Sequence, residues 1–291
     1  MMSRVWRARD FLKPSCRRLL ETARYEVLPT ASIADDVMAH LPVGRQLTIT
    51  ASAGKGLAAT LTVAETLSRA GYQTIPHVAA RMVQGRKHLE EIVEQLVGAG
   101  VDSVFIPAGD ARPDRAGYAG SLELLQDLTA LGRPFRSVGI AGYPESHPVI
   151  PDDVTIQAMW DKRNHATNLV SNLCLNPAVI AAWIERVRKR GIGLPLWVGM
   201  PGPVERSKLL SVATRIGVGE STRFLAKNTS LFARIAAPGG YSPERFLDRL
   251  TPALVKPGSG VEGLHIYTFN QVRQTEDWRR NLLERPGGRV S

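Results

Sequence analysis

Short apolar runs alternate with segments of helical periodicity from residue 25 onward, and that alternation restricts the fold more than any other feature. The runs fall at 25–28, 47–50, 73–77, 103–107, 137–141, 168–173, 194–200 and 264–268. Several are β-branched and bounded by Gly or Pro, as strands buried on both faces should be. Between them, apolar residues recur at helical spacing: Ile33, Val37 and Leu41; Leu89, Ile92, Val93 and Leu96; Leu122, Leu125 and Leu128; Ile180, Trp183, Ile184 and Val187. Gly71, Gly98, Gly100, Gly132 and Gly191 stand where those helices should stop.

Strand–helix units of this number in about 260 residues predict a (β/α)8 TIM-type barrel. A doubly wound open sheet is the alternative, but it favours a glycine fingerprint after its first strand, and Glu26-Val27-Leu28-Pro29-Thr30 is not one. The longest stretch without a clear strand, 201–262, must hold at least two helices, the clearest at 204–216 and 243–255. No internal repeat or low-complexity linker divides the chain. The expected organisation is an N-terminal extension over 1–20, with a short helix closing the barrel bottom, and a single catalytic barrel over 21–291.

In such a barrel the chemistry sits at the C-terminal ends of the strands. Read in order, those ends carry Glu26, Thr50, His77, Asp110, Tyr143, Asn172, Met200 and Tyr267 with Thr268. Glu26 lies within the apolar run Tyr25-Glu26-Val27-Leu28. Burial favours the protonated form of a carboxyl, which suits a general acid; an outward-pointing surface residue is the other reading. Asp110 follows Gly109, which permits a tight turn and close approach of a ligand. It can hydrogen-bond a heterocycle or stabilise a transient cation, or simply cap a turn. His77 follows Pro76 at a strand end and is either a site residue or a satisfied core histidine. The six histidines are scattered without ligand spacing, so no metal is expected. Gly54-Lys55-Gly56 lacks the frame of a phosphate loop, no nucleophile elbow is present, and Cys174 reads as core.

The net charge of +10 raises nucleic-acid binding as an alternative class. The arginines are dispersed, however, and no basic run is interleaved with aromatics. A small polyanionic ligand, such as a dinucleotide phosphate or a polyglutamate tail, or a merely solvated surface, fits the same charge. Nucleic acid is therefore not an expected partner. No apolar run reaches membrane-span length, so neither is a membrane. The basic N-terminal segment lacks an apolar signal core, and Cys16 and Cys174 form no disulfide framework, so a cytoplasmic location is expected. The oligomeric state is left open, and a monomer suffices.

Ala141-Gly142-Tyr143-Pro144-Glu145-Ser146-His147-Pro148 closely resembles the segment that leaves the fifth barrel strand in the methylenetetrahydrofolate reductase family. Further likenesses follow in order: Tyr25-Glu26-Val27-Leu28-Pro29, Leu47-Thr48-Ile49-Thr50, Ile75-Pro76-His77-Val78, Ala108-Gly109-Asp110, Tyr118-Ala119-Gly120-Ser121-Leu122 and Leu264-His265-Ile266-Tyr267-Thr268-Phe269-Asn270. The resemblance covers residue 25 to the C-terminus and is weak over 149–262. It implies reduction of 5,10-methylenetetrahydrofolate to 5-methyltetrahydrofolate, in service of methionine biosynthesis. Glu26 would be the acid that helps open the imidazolidine ring. Asp110 would anchor the pterin and stabilise the cation. Thr50, Tyr143 and Asn172 would line the folate site, Asn172 standing where the family has Gln. His77, Tyr118, Ala119, Tyr143 and His147 would meet the cofactor.

Most members of that family bind FAD, and here two departures bear on it. Ala108 stands where the family has the Arg that holds the flavin phosphates, and Val149-Ile150-Pro151-Asp152-Asp153 is acidic where a second cation is usual. Lys162 or Arg163 is the candidate replacement. Losing a guanidinium that pairs with a pyrophosphate removes a strong charge-assisted contact. The expectation is therefore direct hydride transfer from NADH or NADPH without bound flavin. An FAD-dependent form, a folate-binding methyl-transfer protein on the same barrel, and a non-enzymatic basic binding protein are the other readings.

Overall fold

The structure, a computed structural model, describes residues 14–284 apart from 53, 113–116, 146–149 and 204–240. Its strands are β1 Arg24–Val27, β2 Gln46–Ile49, β3 Gln73–Pro76, β4 Ser103–Phe105, β5 Ser137–Gly142, β6 Asn168–Ser171, β7 Leu196–Pro201 and β8 Val261–Tyr267. Its helices are α1 Pro14–Glu21, α2 Ile33–His40, α3 Gly56–Arg69, α4 Arg86–Gly98, α5 Ser121–Ala130, α6 Asp152–Lys162, α7 Pro177–Lys189, α8 Pro243–Leu254 and α9 Val272–Glu284.

All strand pairs are parallel, in the order β3-β2-β1-β8-β7-β6-β5-β4. The seam between β3 and β4 is joined by the bridge His77↔Phe105, with the Val78 N–H donating to the Phe105 carbonyl at 2.9 Å. This is the expected (β/α)8 barrel. Each predicted strand coincides with an observed one, displaced by a few residues at its ends. The predicted helix 243–255 is α8, and 204–216 lies outside the described residues.

Two local readings change. In α5 the buried face is Ser121, Leu124, Leu125 and Leu128, so Leu122 is only half-buried. In α4, Gly98 is the last helical residue, and the left-handed position that ends the helix is Gly100, at φ +78°.

The outward faces of the strands carry Val27, Leu47, Ile49, Val104, Ile140, Leu169, Val198, Leu264 and Ile266, which form one continuous core with the helices. The N-terminal helix belongs to that core: Cys16, Leu19 and Leu20 are buried, and α1 packs against β8 and α9. Tyr25 on β1 donates to Glu276 of α9 at 2.8 Å, and Arg279 holds the same carboxylate at 2.7 Å. The last helix is thereby tied back to the first strand.

The barrel interior, by contrast, is polar at its lower end. The Arg24 guanidinium donates to Gln46 (2.8 Å) and Asn168 (3.3 Å) and lies 3.6 Å over the Trp197 ring. Burial pulls this guanidinium down to about 10, with Glu262 acting against the shift. Gly263 makes room for Trp197, since a Cβ there would stand 2.5 Å from the indole nitrogen.

Candidate active site at the barrel mouth

One pleat above Arg24 on the same inward face of β1 stands Glu26, in register with Thr48 of β2 and Tyr267 of β8. Alternation along β8 turns His265 and Tyr267 to the same interior. His265 is 2% exposed, and its Nε2 lies 2.9 Å from Glu26 Oε2. His77, at the end of β3, brings its Nε2 to 3.8 Å from the same oxygen. A carboxyl thus meets two imidazoles inside the barrel, which excludes the outward-pointing reading of Glu26.

Burial drives His77 down to about 4, the neighbouring His265 adds to that shift, and Glu26 opposes it. His77 is therefore neutral at physiological pH, with its ring tilted against Phe105 at 4.6 Å. Tyr267 meets His265 edge-on at 4.8 Å and donates its hydroxyl to the Ser171 carbonyl at 3.2 Å. Burial pushes this phenol well above its ordinary range, and Glu26 and Tyr143 act in the same direction. Tyr143 is raised by burial and then by the charge of Asp110. Glu26, Tyr267, Tyr143 and Asp110 are thus electrostatic neighbours across the mouth.

Backbone geometry fixes these positions. Thr268 donates from Oγ1 to the Glu26 carbonyl at 2.6 Å, and Asn270 exchanges hydrogen bonds with both backbone groups of Leu28. The end of β8 thereby clamps the end of β1. Gly109 adopts φ +83°, and a Cβ there would stand 2.9 Å from the Ala79 Cβ, so the turn that presents exposed Asp110 demands glycine. Gly199 leaves space for the Tyr267 ring, which a Cβ would meet at 2.8 Å.

Among the described residues, Thr50 Oγ1, His77 Nε2 and His265 Nδ1 are buried at this end without a hydrogen-bond partner. Buried polar groups are nearly always paired, so unpaired ones gathered at a barrel mouth mark a surface shaped for a ligand. Although two histidines and a carboxyl meet here, no cluster among the described residues is arranged to hold a metal ion.

The remaining predicted residues are placed as follows. Asn172 is exposed at the end of β6, and its Oδ1 accepts from the Leu173 N–H at 2.9 Å. Tyr118 is buried and spends its hydroxyl on Asp127 of α5 at 2.7 Å. Ala119 lies in the β4–α5 loop, where its carbonyl accepts from Arg81 Nε at 3.0 Å. His147 lies outside the described residues. Cys174 is fully buried, and its thiol donates to Glu145 at 3.3 Å.

Lys162 and Arg163 end α6, which starts at the mouth and runs about 16 Å toward the opposite rim. Arg163 stacks there on Trp160, beside Gly191 past the end of α7. Neither cation reaches the mouth, which corrects the expectation that one of them replaces a phosphate contact.

Sequence reasoning gave no role to two residues. His265 carried a readable signal, since a histidine two positions before Tyr267 on one strand must share its face. Arg81 carried none. It follows β3, yet its guanidinium crosses to the next loop and donates to the carbonyls of Ala119 and Gly109 (3.2 Å), beside Ala108.

No helix among the described residues is long and apolar enough to cross a membrane. A family model described as Methylenetetrahydrofolate reductase matches residues 30–282. The matched span holds His77, Asp110, Tyr143 and His265 but starts after Glu26, so the place of Glu26 in the site rests on its bond to His265. Among solved structures, a GH18 chitinase from Pseudoalteromonas aurantia shares 13% identity, with 89% of this chain and 98% of that chain covered and a TM-score of 0.50. A 2,3-dimethylmalate lyase of the PEP mutase/isocitrate lyase superfamily shares 14% identity, with 82% and 94% covered and a TM-score of 0.44. The likeness to the chitinase is one of fold alone.

Proposed function

The chain belongs to the methylenetetrahydrofolate reductase family, and from that premise we propose that it reduces 5,10-methylenetetrahydrofolate to 5-methyltetrahydrofolate by direct hydride transfer from NADH or NADPH. Family membership supports folate-related reduction in general. The observation that supports acid-assisted ring opening is the carboxyl of Glu26, held inside the barrel mouth by one imidazole and flanked by another.

In this mechanism Glu26 protonates the ring nitrogen that leaves when the imidazolidine opens. The resulting iminium is stabilised by Asp110 across the mouth. Hydride adds to the iminium carbon, the nicotinamide leaves oxidised, and the carboxylate regains its proton from solvent. Thr50, Tyr143 and Asn172 line the pterin, and the unpaired Thr50 hydroxyl is available to it.

The described residues at the positions where the family holds the flavin phosphates do not suit a bound FAD. Position 108 is alanine, and Lys162 and Arg163 stand at the far rim. Arg81 supports a phosphate-bearing hydride donor instead: among the described residues its guanidinium donates to two backbone carbonyls, so its charge is oriented but not neutralised. The reading places the protein in the cytoplasm as a one-carbon enzyme.

The test is oxidation of NADH and NADPH by the pure protein with methylenetetrahydrofolate and no added FAD, after its visible spectrum is recorded. Turnover by a colourless protein is the expected result. Activity only in a yellow protein, or only after FAD is added, would overturn the flavin-free part and keep the reductase. No oxidation under either condition would sink the reductase.

A further inference from the structure

Glu26 has two oxygens, and the structure treats them differently. Oε2 faces His265 Nε2 at 2.9 Å and His77 Nε2 at 3.8 Å. Oε1 has no hydrogen-bond partner among the described residues, and the side chain keeps 17% exposure toward the mouth. The other ring nitrogen of His265, Nδ1, is buried and unpartnered.

That orphan atom decides the proton arrangement. If Glu26 donated from Oε2 to His265 Nε2, a neutral imidazole would carry its proton on Nδ1, leaving a buried N–H donor without an acceptor. If Nε2–H donates to Oε2, Nδ1 is a bare acceptor instead. Orphaned buried N–H groups are the rarer and costlier case.

We propose that His265 is a positioning residue for the folate reduction assigned above: its Nε2–H holds Glu26 by Oε2, so that the proton delivered to the leaving nitrogen sits on Oε1, facing the substrate. The proposal rests on the reductase reading. When Oε1 gives up its proton, the new carboxylate already has a charge-assisted donor in place, so no reorganisation is needed at that moment. His265 exchanges no proton with substrate. Tyr267 packs edge-on against its ring at 4.8 Å, so its orientation is set by packing.

Three variants and one spectrum test this. In His265→Leu the donor is lost, and kcat falls roughly tenfold to a hundredfold while KM for the folate stays within about threefold. In His265→Gln the side-chain amide N–H reaches the place of Nε2, and kcat recovers to within about fivefold of the parent. In His265→Asn the amide is too short to reach Glu26, and kcat stays low. A Gln variant as impaired as Leu would overturn the proposal in favour of a proton relay through the imidazole. A Leu variant with unchanged kcat would overturn it outright.

The spectrum does not depend on turnover. Nitrogen NMR of the parent protein at neutral pH should show the His265 ring protonated at Nε2 and bare at Nδ1. The opposite tautomer would refute the arrangement even in an active enzyme. A parent protein that shows the expected tautomer but no reductase activity would place the failure in the functional reading and not in the geometry.

Discussion

Glu26 and His77 illustrate how burial assigns chemistry to single residues. Glu26 lies on a face that elsewhere on the strand is filled by Arg24, and among the described residues its carboxyl meets the imidazoles of His265 and His77. Glu26→Gln should keep folate binding and lower kcat by roughly 10²–10⁴-fold, read by steady-state kinetics beside a ligand titration; parent-like kcat would remove Glu26 from the acid role. His77 makes a prediction about stability. Its folded value of about 4 lies below the ordinary 6.5, so the unfolded chain binds the proton first as pH falls. Its contribution is complete above about pH 6.5 and is lost on going down toward pH 4, an effect of about 3 kcal/mol. Denaturant midpoints across that window should fall in the parent and fall less in His77→Phe. Equal slopes would mean that His77 is solvated in solution. At this scale the chain was partly legible. A Glu, a His, an Asp and a Tyr at strand ends could be read in order, but their distances could not, because they come from four different strands and loops.

At the scale of elements, loops decide what the rim offers. The β4–α5 loop lacks an arginine at 108, yet the β3–α4 loop sends Arg81 across to the Gly109 carbonyl. An arginine on one loop thus supplies charge beside a position on another. Arg81→Met should raise KM for NADH or NADPH on the order of tenfold with kcat at saturation nearly unchanged. A kcat loss at unchanged KM would instead make Arg81 a brace for the loop carrying Asp110. The direction of α6 is equally decisive, because a helix that leaves the mouth carries its last-turn cations to the opposite rim. Helix polarity follows from the barrel's topology, and so the misplaced role of Lys162 and Arg163 was avoidable in principle once β5 and α6 were recognised.

Across the whole molecule, the barrel has an apolar outer layer and a polar lower interior. Arg24, Gln46, Asn168 and Trp197 form a plug beneath the site. Arg24→Met removes the guanidinium and leaves the acceptors of buried Asn168 and half-buried Gln46 underused, at a cost of about 1–3 kcal/mol in unfolding free energy. Because the plug lies below the mouth, kcat should change by less than about twofold. A large kcat loss with unchanged stability would mean that the buried charge acts on Glu26 after all.

The eight-strand barrel and the rim residues could be read from one dimension, because strand parity, helical spacing and a fixed topology convert position in the chain into position in the fold. Which of those residues touch is a different kind of fact. The bond from His265 to Glu26 spans 239 positions and exists only because closure of the sheet lays the last strand beside the first. The reach of Arg81 across two loops and the polar plug around Arg24 likewise depend on distances that only the closed barrel sets.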